Sequence, residues 1–424
     1  MHRYHTPLDL VRERSPERPV ALARPDAVAA AARWFQDSFK GDVFYAVKAN
    51  PSPWVIETLA RNGVCSFDVA SIPEIELVAK HAPDGRMAFM HPVKSRQAIA
   101  RAYFDYGVKA FALDTHEELA KILEATGGAD DLALIVRIGV SAEGAAYSLS
   151  GKFGSEPHET PGLLLAARRA TEDRMGISFH VGSQCMRPTA FQAAMAQASR
   201  AIVRAGVMVD VVDVGGGFPS VYPGMTPPRM DDYADSIQRG FAEMMVGEDT
   251  ELWCEPGRAL VAEASSILTK VELKKGDALY LNDGSYGSLF DAAHTKWPFP
   301  VKLYRSEDGE AWEVEGPLKP FRFYGPTCDT LDHMPGPFWL PEDVREGDHV
   351  EIGMLGAYGI AMTTRFNGFG EAETVEVGDA PMASMFGLAG RNIRLPREPL
   401  AEDERKVVRL SRPKGAAGKK RRRR

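Results

Sequence analysis

Cysteine is scarce in this chain, and what there is does not pair. Cys65, Cys185, Cys254 and Cys328 are scattered without short spacings, which argues against a disulfide framework and against a zinc site, so no metal is expected. No run is long and apolar enough to span a bilayer, and no membrane association is expected. The opening residues, Met1-His2-Arg3-Tyr4-His5-Thr6-Pro7, lack an apolar signal core, so a cytoplasmic location is the default expectation. Repeats at solenoid spacing are missing too. Acids are absent from Lys414–Arg424, which carries seven positive charges. Behind a Gly-Ala-Ala-Gly spacer this tail reads as disordered and solvated. Removing its seven charges from a net −7 leaves the body at −14. An acidic body favours cationic ligands over nucleic acid.

What is present is a soluble, globular composition, 44% hydrophobic and 26% charged, in a chain of 424 residues. That length exceeds one ordinary core, so two domains are expected. From Val43 onward, short apolar runs alternate with amphipathic stretches of helical length. The expected strands are Val43–Lys48, Cys65–Val69, Met87–His91, Lys109–Leu113, Leu132–Ile138, Ile177–Val181, Val211–Val214 and Leu252–Glu255. Runs of this kind suit strands buried on both faces of a parallel sheet. Eight of them alternating with helices predict an α/β fold, a (β/α)8 barrel, with a doubly wound open sheet as the competitor. After Arg258 the texture changes to strands separated by Gly, Asp and Pro turns, a mostly β C-terminal domain. The expected division is a barrel over 21–261, a β domain made of 1–20 with 262–413, and the disordered basic tail 414–424.

A barrel builds its site from the loops at the C-terminal ends of its strands. Lys48, Asp68, His91, Asp114, Arg137, His180, Gly215-Gly216-Gly217 and Glu255-Pro256-Gly257-Arg258 all fall at such ends. Lys48 closes an apolar strand, where partial desolvation is expected to depress its pKa and favour a free amine able to form a Schiff base. A lysine snorkelling to solvent is the plainer alternative. Adjacent glycines let backbone N–H groups surround an anion such as phosphate, or make only a tight turn. Glu255 and Arg258 form either a local ion pair or a set addressing a ring nitrogen and a phosphate. His180 is either a core histidine or a flat partner for a planar ring, and Ser183 offers a hydroxyl to a phosphate. Together these parts fit pyridoxal 5'-phosphate. An aldolase using only a lysine Schiff base leaves the carboxylate and the stacking histidine unassigned.

The motifs are also those of a known family. Tyr45-Ala46-Val47-Lys48-Ala49-Asn50, Phe67-Asp68-Val69-Ala70-Ser71, His180-Val181-Gly182-Ser183, Gly215–Pro219 and Glu255–Arg258 resemble the fold-type III pyridoxal-phosphate-dependent decarboxylases, the ornithine/diaminopimelate/arginine decarboxylase group related to alanine racemase. The resemblance continues through Asn282-Asp283-Gly284-Ser285-Tyr286-Gly287, Gly325-Pro326-Thr327-Cys328-Asp329, Gly356-Ala357-Tyr358-Gly359 and Phe366-Asn367-Gly368-Phe369, and it is closest to the ornithine decarboxylases. It implies a homodimer with shared active sites, decarboxylating a basic L-amino acid, ornithine to putrescine first, as in polyamine biosynthesis. Lys48 would hold the cofactor's aldehyde, His180 would stack on its ring and Glu255 would pair with the pyridine nitrogen. Ser183, Gly217, Arg258 and Tyr358 would hold the phosphate, Gly215, Gly216 and Gly257 would also bind the cofactor, and Asp68, Glu74 and Arg137 would support lysine and ring. Cys328 of one subunit would protonate the α-carbon in the other, and Asp329 would meet the distal amine. Phe290 and Asp291 resemble a second distal-amine segment, but they lie several residues closer to the Asn-Asp-Gly motif, and Thr295 is the other candidate. That shortening leaves lysine, or both substrates, open. An amino-acid racemase would need a tyrosine where Cys328 stands, and a non-catalytic regulatory homologue would be expected to lose the lysine or the phosphate ligands.

Overall fold

Eight parallel strands close on themselves in the computed structural model, which describes residues 1–141, 144–147, 151–295 and 297–388. They are Asp42–Ala46, Ser66–Val69, Arg86–Phe89, Ala110–Leu113, Ala133–Arg137, Met175–Ser178, Val211–Asp213 and Glu251–Cys254. The last pairs with the first, Cys254 opposite Val43, so the open-sheet alternative is set aside. Six of the strands end one to three residues earlier than their apolar runs, and two end with them. Lys48 therefore sits in a short 3-10 turn, Val47–Ala49, just past its strand.

Successive side chains on a strand point to opposite faces, and the barrel separates them cleanly. Phe44, Ala88, Ala112, Ile135, Val211 and Trp253 cluster together and fill the lumen. Tyr45, Phe67, Phe89, Phe111, Leu134 and Ile177 join the larger core beneath the helices. The Phe44 and Trp253 rings lie 4.5 Å apart, and the Arg86 guanidinium covers Phe44 at 4.6 Å. Truncating a lumen ring such as Phe44 to alanine would cost about 3–5 kcal/mol. On the outer layer, Ser71, Ser95 and Thr115 accept N–H bonds from Glu74, Ala98 and Glu118, so three helices start within a few residues of the strand ends. Short loops on that side keep the rim compact. The alanine-rich helix Pro25–Ser38 precedes the first barrel strand and was not expected from the sequence.

The second element is a sheet of ten strands built from both ends of the described chain. Val20–Ala23 lies between Ser265–Leu268, antiparallel, and Glu373–Val377, parallel. Leu318–Tyr324 and His333–Pro341 form a long antiparallel pair in the same sheet. Their prolines interrupt the alternation that marks a strand, so neither was expected. Across the sheet runs a buried polar network in which the Arg24 guanidinium donates to Glu351, Asp379 and Ser266 while the Tyr304 hydroxyl donates to Glu351. No helix among the described residues is long and apolar enough to cross a membrane. The tail expected at 414–424 lies outside the described residues.

Where barrel passes into sheet, the Glu263 side chain is buried and accepts the Met385 N–H at 2.5 Å, with its second oxygen unpartnered. Burial pushes its pKa up to about 7 from 4.5. Between those values the folded protein binds a proton that the unfolded chain has released, so stability falls as pH rises. The contribution is complete below about pH 4.5 and is gone above about pH 7. The decline in between amounts to on the order of 1.4 kcal/mol for each pH unit crossed. Glu263→Gln, neutral throughout, is expected to flatten the fall in thermal midpoint over that window. Parallel pH profiles for the two proteins would show that this residue is not the cause.

Candidate active site

A cavity of about 450 Å³ opens among the strand ends, and its wall includes Lys48, Asp68, Arg137, His180, Ser183, Gly216, Gly217, Glu255, Gly257, Arg258 and Tyr358. These residues come from six of the eight strand ends and from the sheet. Lys48 Nζ donates to Asp68 Oδ2 at 2.8 Å, and the carboxylate is 1% exposed. The lysine side chain keeps 45% of its area open toward the cavity, while its ammonium lies deep among protein atoms. Burial alone would lower its pKa, but the Asp68 and Glu255 carboxylates outweigh burial and hold it above the ordinary lysine range. The expectation of a depressed, free amine is corrected here. Desolvation was judged from the strand alone, without the facing acids.

His180 accepts the Gly182 N–H on Nδ1 at 3.0 Å. Burial, then the positive Arg137 and Lys48, push its pKa down to about 3, so the ring is neutral and Nε2 carries the proton. Glu255, whose N–H donates to the Gly215 carbonyl, is raised well above the carboxylate range by burial and by Asp213 and Asp68. Gly215 stands behind the wall rather than on it. Gly217 has φ +105°, a backbone that side chains rarely adopt. At Gly216 the limit is space, since a Cβ would lie 2.7 Å from the Glu255 carbonyl and 3.1 Å from His180 Nε2. The Tyr358 loop is stapled to the lysine turn from the sheet. Its N–H donates to the Ala49 carbonyl at 2.9 Å, and Asn50 Nδ2 donates to the Gly356 carbonyl at 2.8 Å. Glu74 stands one step back, accepting the Ala70 N–H at 2.7 Å.

Besides Gly215 and Glu74, four more expected residues are not on this wall. Cys328 and Asp329 line a different cavity, of about 670 Å³, on the sheet, together with Thr327, Tyr324, His333 and Phe369. Cys328 is exposed, and Asp329 accepts the Tyr286 hydroxyl at 2.6 Å. Phe290 stacks on His294 at 4.1 Å, and Asp291 accepts from Arg258. Conversely, His91, Lys152 and Phe153 line the cavity without having been assigned to it. His91 stood at a strand end but had no chemical partner in the sequence. Lys152 and Phe153 lie well past the end of the barrel strand Ala133–Arg137 that precedes them, and the flanking pair Gly151 and Gly154 is their one signal.

The residues present suit a phosphate-bearing aldehyde. An amine, a buried carboxyl and a glycine cradle share one wall, and Arg258 Nε is a buried donor with no partner among the described residues. The model of the family described as pyridoxal-dependent decarboxylase, pyridoxal binding domain, matches residues 26–262, and the chain belongs to that family. It is a pyridoxal-phosphate-dependent amino-acid decarboxylase. Among its relatives, a lysine/ornithine decarboxylase of Selenomonas ruminantium is 34% identical over 81% of this chain and 85% of its own length. An ornithine decarboxylase of Caenorhabditis elegans is 33% identical over 77% and 79%. The crystal structure of a lysine/ornithine decarboxylase complexed with cadaverine, from Vibrio vulnificus, superimposes with a TM-score of 0.74 at 29% identity, covering 88% of this chain and 97% of that one.

Gly216→Ala should leave the far-ultraviolet circular dichroism intact and weaken pyridoxal phosphate binding at least about tenfold, because the added methyl presses on both His180 and the Glu255 backbone. Titration of the apoprotein, followed by visible absorbance, measures it. Unchanged affinity would mean that the glycine loop does not shape the cofactor site.

Proposed function

We propose that this chain removes the α-carboxylate of a basic L-amino acid, L-ornithine first, giving putrescine, at a site that a second copy of the chain completes. One observation carries the reading: the amine and the thiol that the reaction needs line two separate cavities of one chain. When bound, pyridoxal phosphate supplies an electron sink for the pair left behind as carbon dioxide departs. Lys48 would hold the cofactor, with Asp68 in reach to take or return the lysine's proton. Glu255, a carboxyl of raised proton affinity, would keep the ring nitrogen protonated. Neutral His180 would face the ring without adding charge. Ser183, Gly217 and Arg258 would hold the phosphate.

The partner subunit would bring the sheet loop Gly325–Asp329 over the rim. From it the Cys328 thiol gives its proton to the α-carbon, replacing the lost carboxylate. Asp329 accepts from the distal ammonium. A substrate ending in a carboxylate, such as diaminopimelate, would be repelled there. An exposed thiol that must stay reduced also suits the cytoplasm. L-Lysine is the second reading, because a relative is named for both substrates and one methylene is worth only about 1–3 kcal/mol.

Carbon dioxide release from ornithine, lysine, arginine and diaminopimelate on one preparation tests the substrate, with ornithine or lysine expected to lead. Mixing Lys48→Ala with Cys328→Ala subunits tests the shared site. Random re-pairing makes half the dimers mixed, each with one intact site, so about a quarter of wild-type activity should return. Recovery of none would place both residues in the same chain's site.

A further inference from the structure

Asp291 is expected from family resemblance to meet the substrate's distal ammonium, yet its carboxylate is already taken. Arg258 Nη1 donates to Asp291 Oδ2 at 2.5 Å, and Nη2 donates to Oδ1 at 3.3 Å. Nη1 also donates to the Tyr222 hydroxyl at 2.8 Å. The side chains of the pair are 6% and 8% exposed. Aromatic rings enclose the guanidinium, with Tyr358 at 5.1 Å, Trp297 at 5.6 Å and Tyr222 at 5.8 Å. The short helix Phe290–His294 begins only four residues after Tyr286, and this early start sets Asp291 against the arginine. Thr295 does not replace it, because its buried hydroxyl donates to the Asp291 carbonyl at 2.6 Å.

We infer that Asp291 is a positioning residue that fixes Arg258 for the cofactor's phosphate and is not a substrate ligand, which leaves Asp329 as the acid for the distal ammonium. The inference rests on the proposed function for the identity of both ligands. Three features favour it. Arg258 reaches the cavity wall and Asp291 does not. With both Nη groups engaged, the buried Nε–H of Arg258 is left without a partner among the described residues, and it is the donor an anion in the cavity would use. Turning Asp291 toward an ammonium would break both of its bonds to the buried guanidinium and leave the phosphate alone to position it. A single acid at the distal end also reads chain length less strictly than two acids holding one nitrogen between them.

The test compares three variants of the full chain by titrating apoprotein with pyridoxal phosphate and then measuring KM at saturating cofactor. Asp291→Ala is expected to weaken cofactor binding at least about tenfold by freeing the guanidinium, while Asp291→Asn, which keeps an acceptor, stays within about threefold. Both should leave KM for ornithine and lysine within about twofold, whereas Asp329→Ala should raise it at least about tenfold with cofactor affinity unchanged. A tenfold rise in KM in either Asp291 variant, or wild-type cofactor affinity in Asp291→Ala, overturns the assignment. Should Asp291→Ala fail to fold, the KM of Asp291→Asn still decides. A wild-type protein that ignores ornithine and lysine would sink the proposed substrate instead, leaving the cofactor titration to judge Asp291.

Discussion

The ion pair between Lys48 and Asp68 sets the terms for the rest of the site. The Asp68 carboxylate, in direct contact, is the main influence that holds the lysine charged in a cavity where either charge alone would be costly to bury. An ammonium is no nucleophile, so for Lys48 to take up an aldehyde it would first have to lose its proton. Asp68, at 2.8 Å, is the base in contact. The neighbours follow from this balance. His180 is neutral first because it is buried and then because two cations face it. Glu255 is pushed toward its protonated form by burial, reinforced by two neighbouring acids.

The barrel alone does not finish this cavity. Tyr358, at φ +56°, belongs to a loop of the sheet that two hydrogen bonds fasten to the lysine turn. A left-handed tyrosine is held there only because its surroundings over-determine it. At Gly356, a Cβ would fall 1.7 Å from the Val261 carbonyl. The junction therefore tolerates no side chain where sheet meets barrel, and the wall it contributes is rigid.

Much of this was legible in the chain, for a physical reason. Strands buried on both faces must be short apolar runs, so the barrel announced itself eight times over. Strand ends carrying Lys48, Asp68, His180 and Glu255 located the rim. Other features were hidden because they depend on contacts between distant segments. The charge state of Lys48 is decided by acids on other strands. The placement of Asp291 is decided by where a five-residue helix starts. Lys152 and Phe153 reach the cavity from a loop with no periodic pattern. The strands Leu318–Tyr324 and His333–Pro341 were concealed by their own prolines.

Val20–Ala23 sits between a strand that follows the barrel and one near the far end of the described chain, so the barrel interrupts a single sheet. During synthesis one edge of this early segment must wait for Ser265–Leu268 and the other until Glu373–Val377 has emerged from the ribosome. The barrel's contacts between successive strands can form meanwhile. Sheet closure, whose contacts are the most distant in sequence, falls to the last stage of folding. A waiting apolar edge of this kind is a target for wrong pairing, so damage near the end of the described chain would be felt first at its beginning.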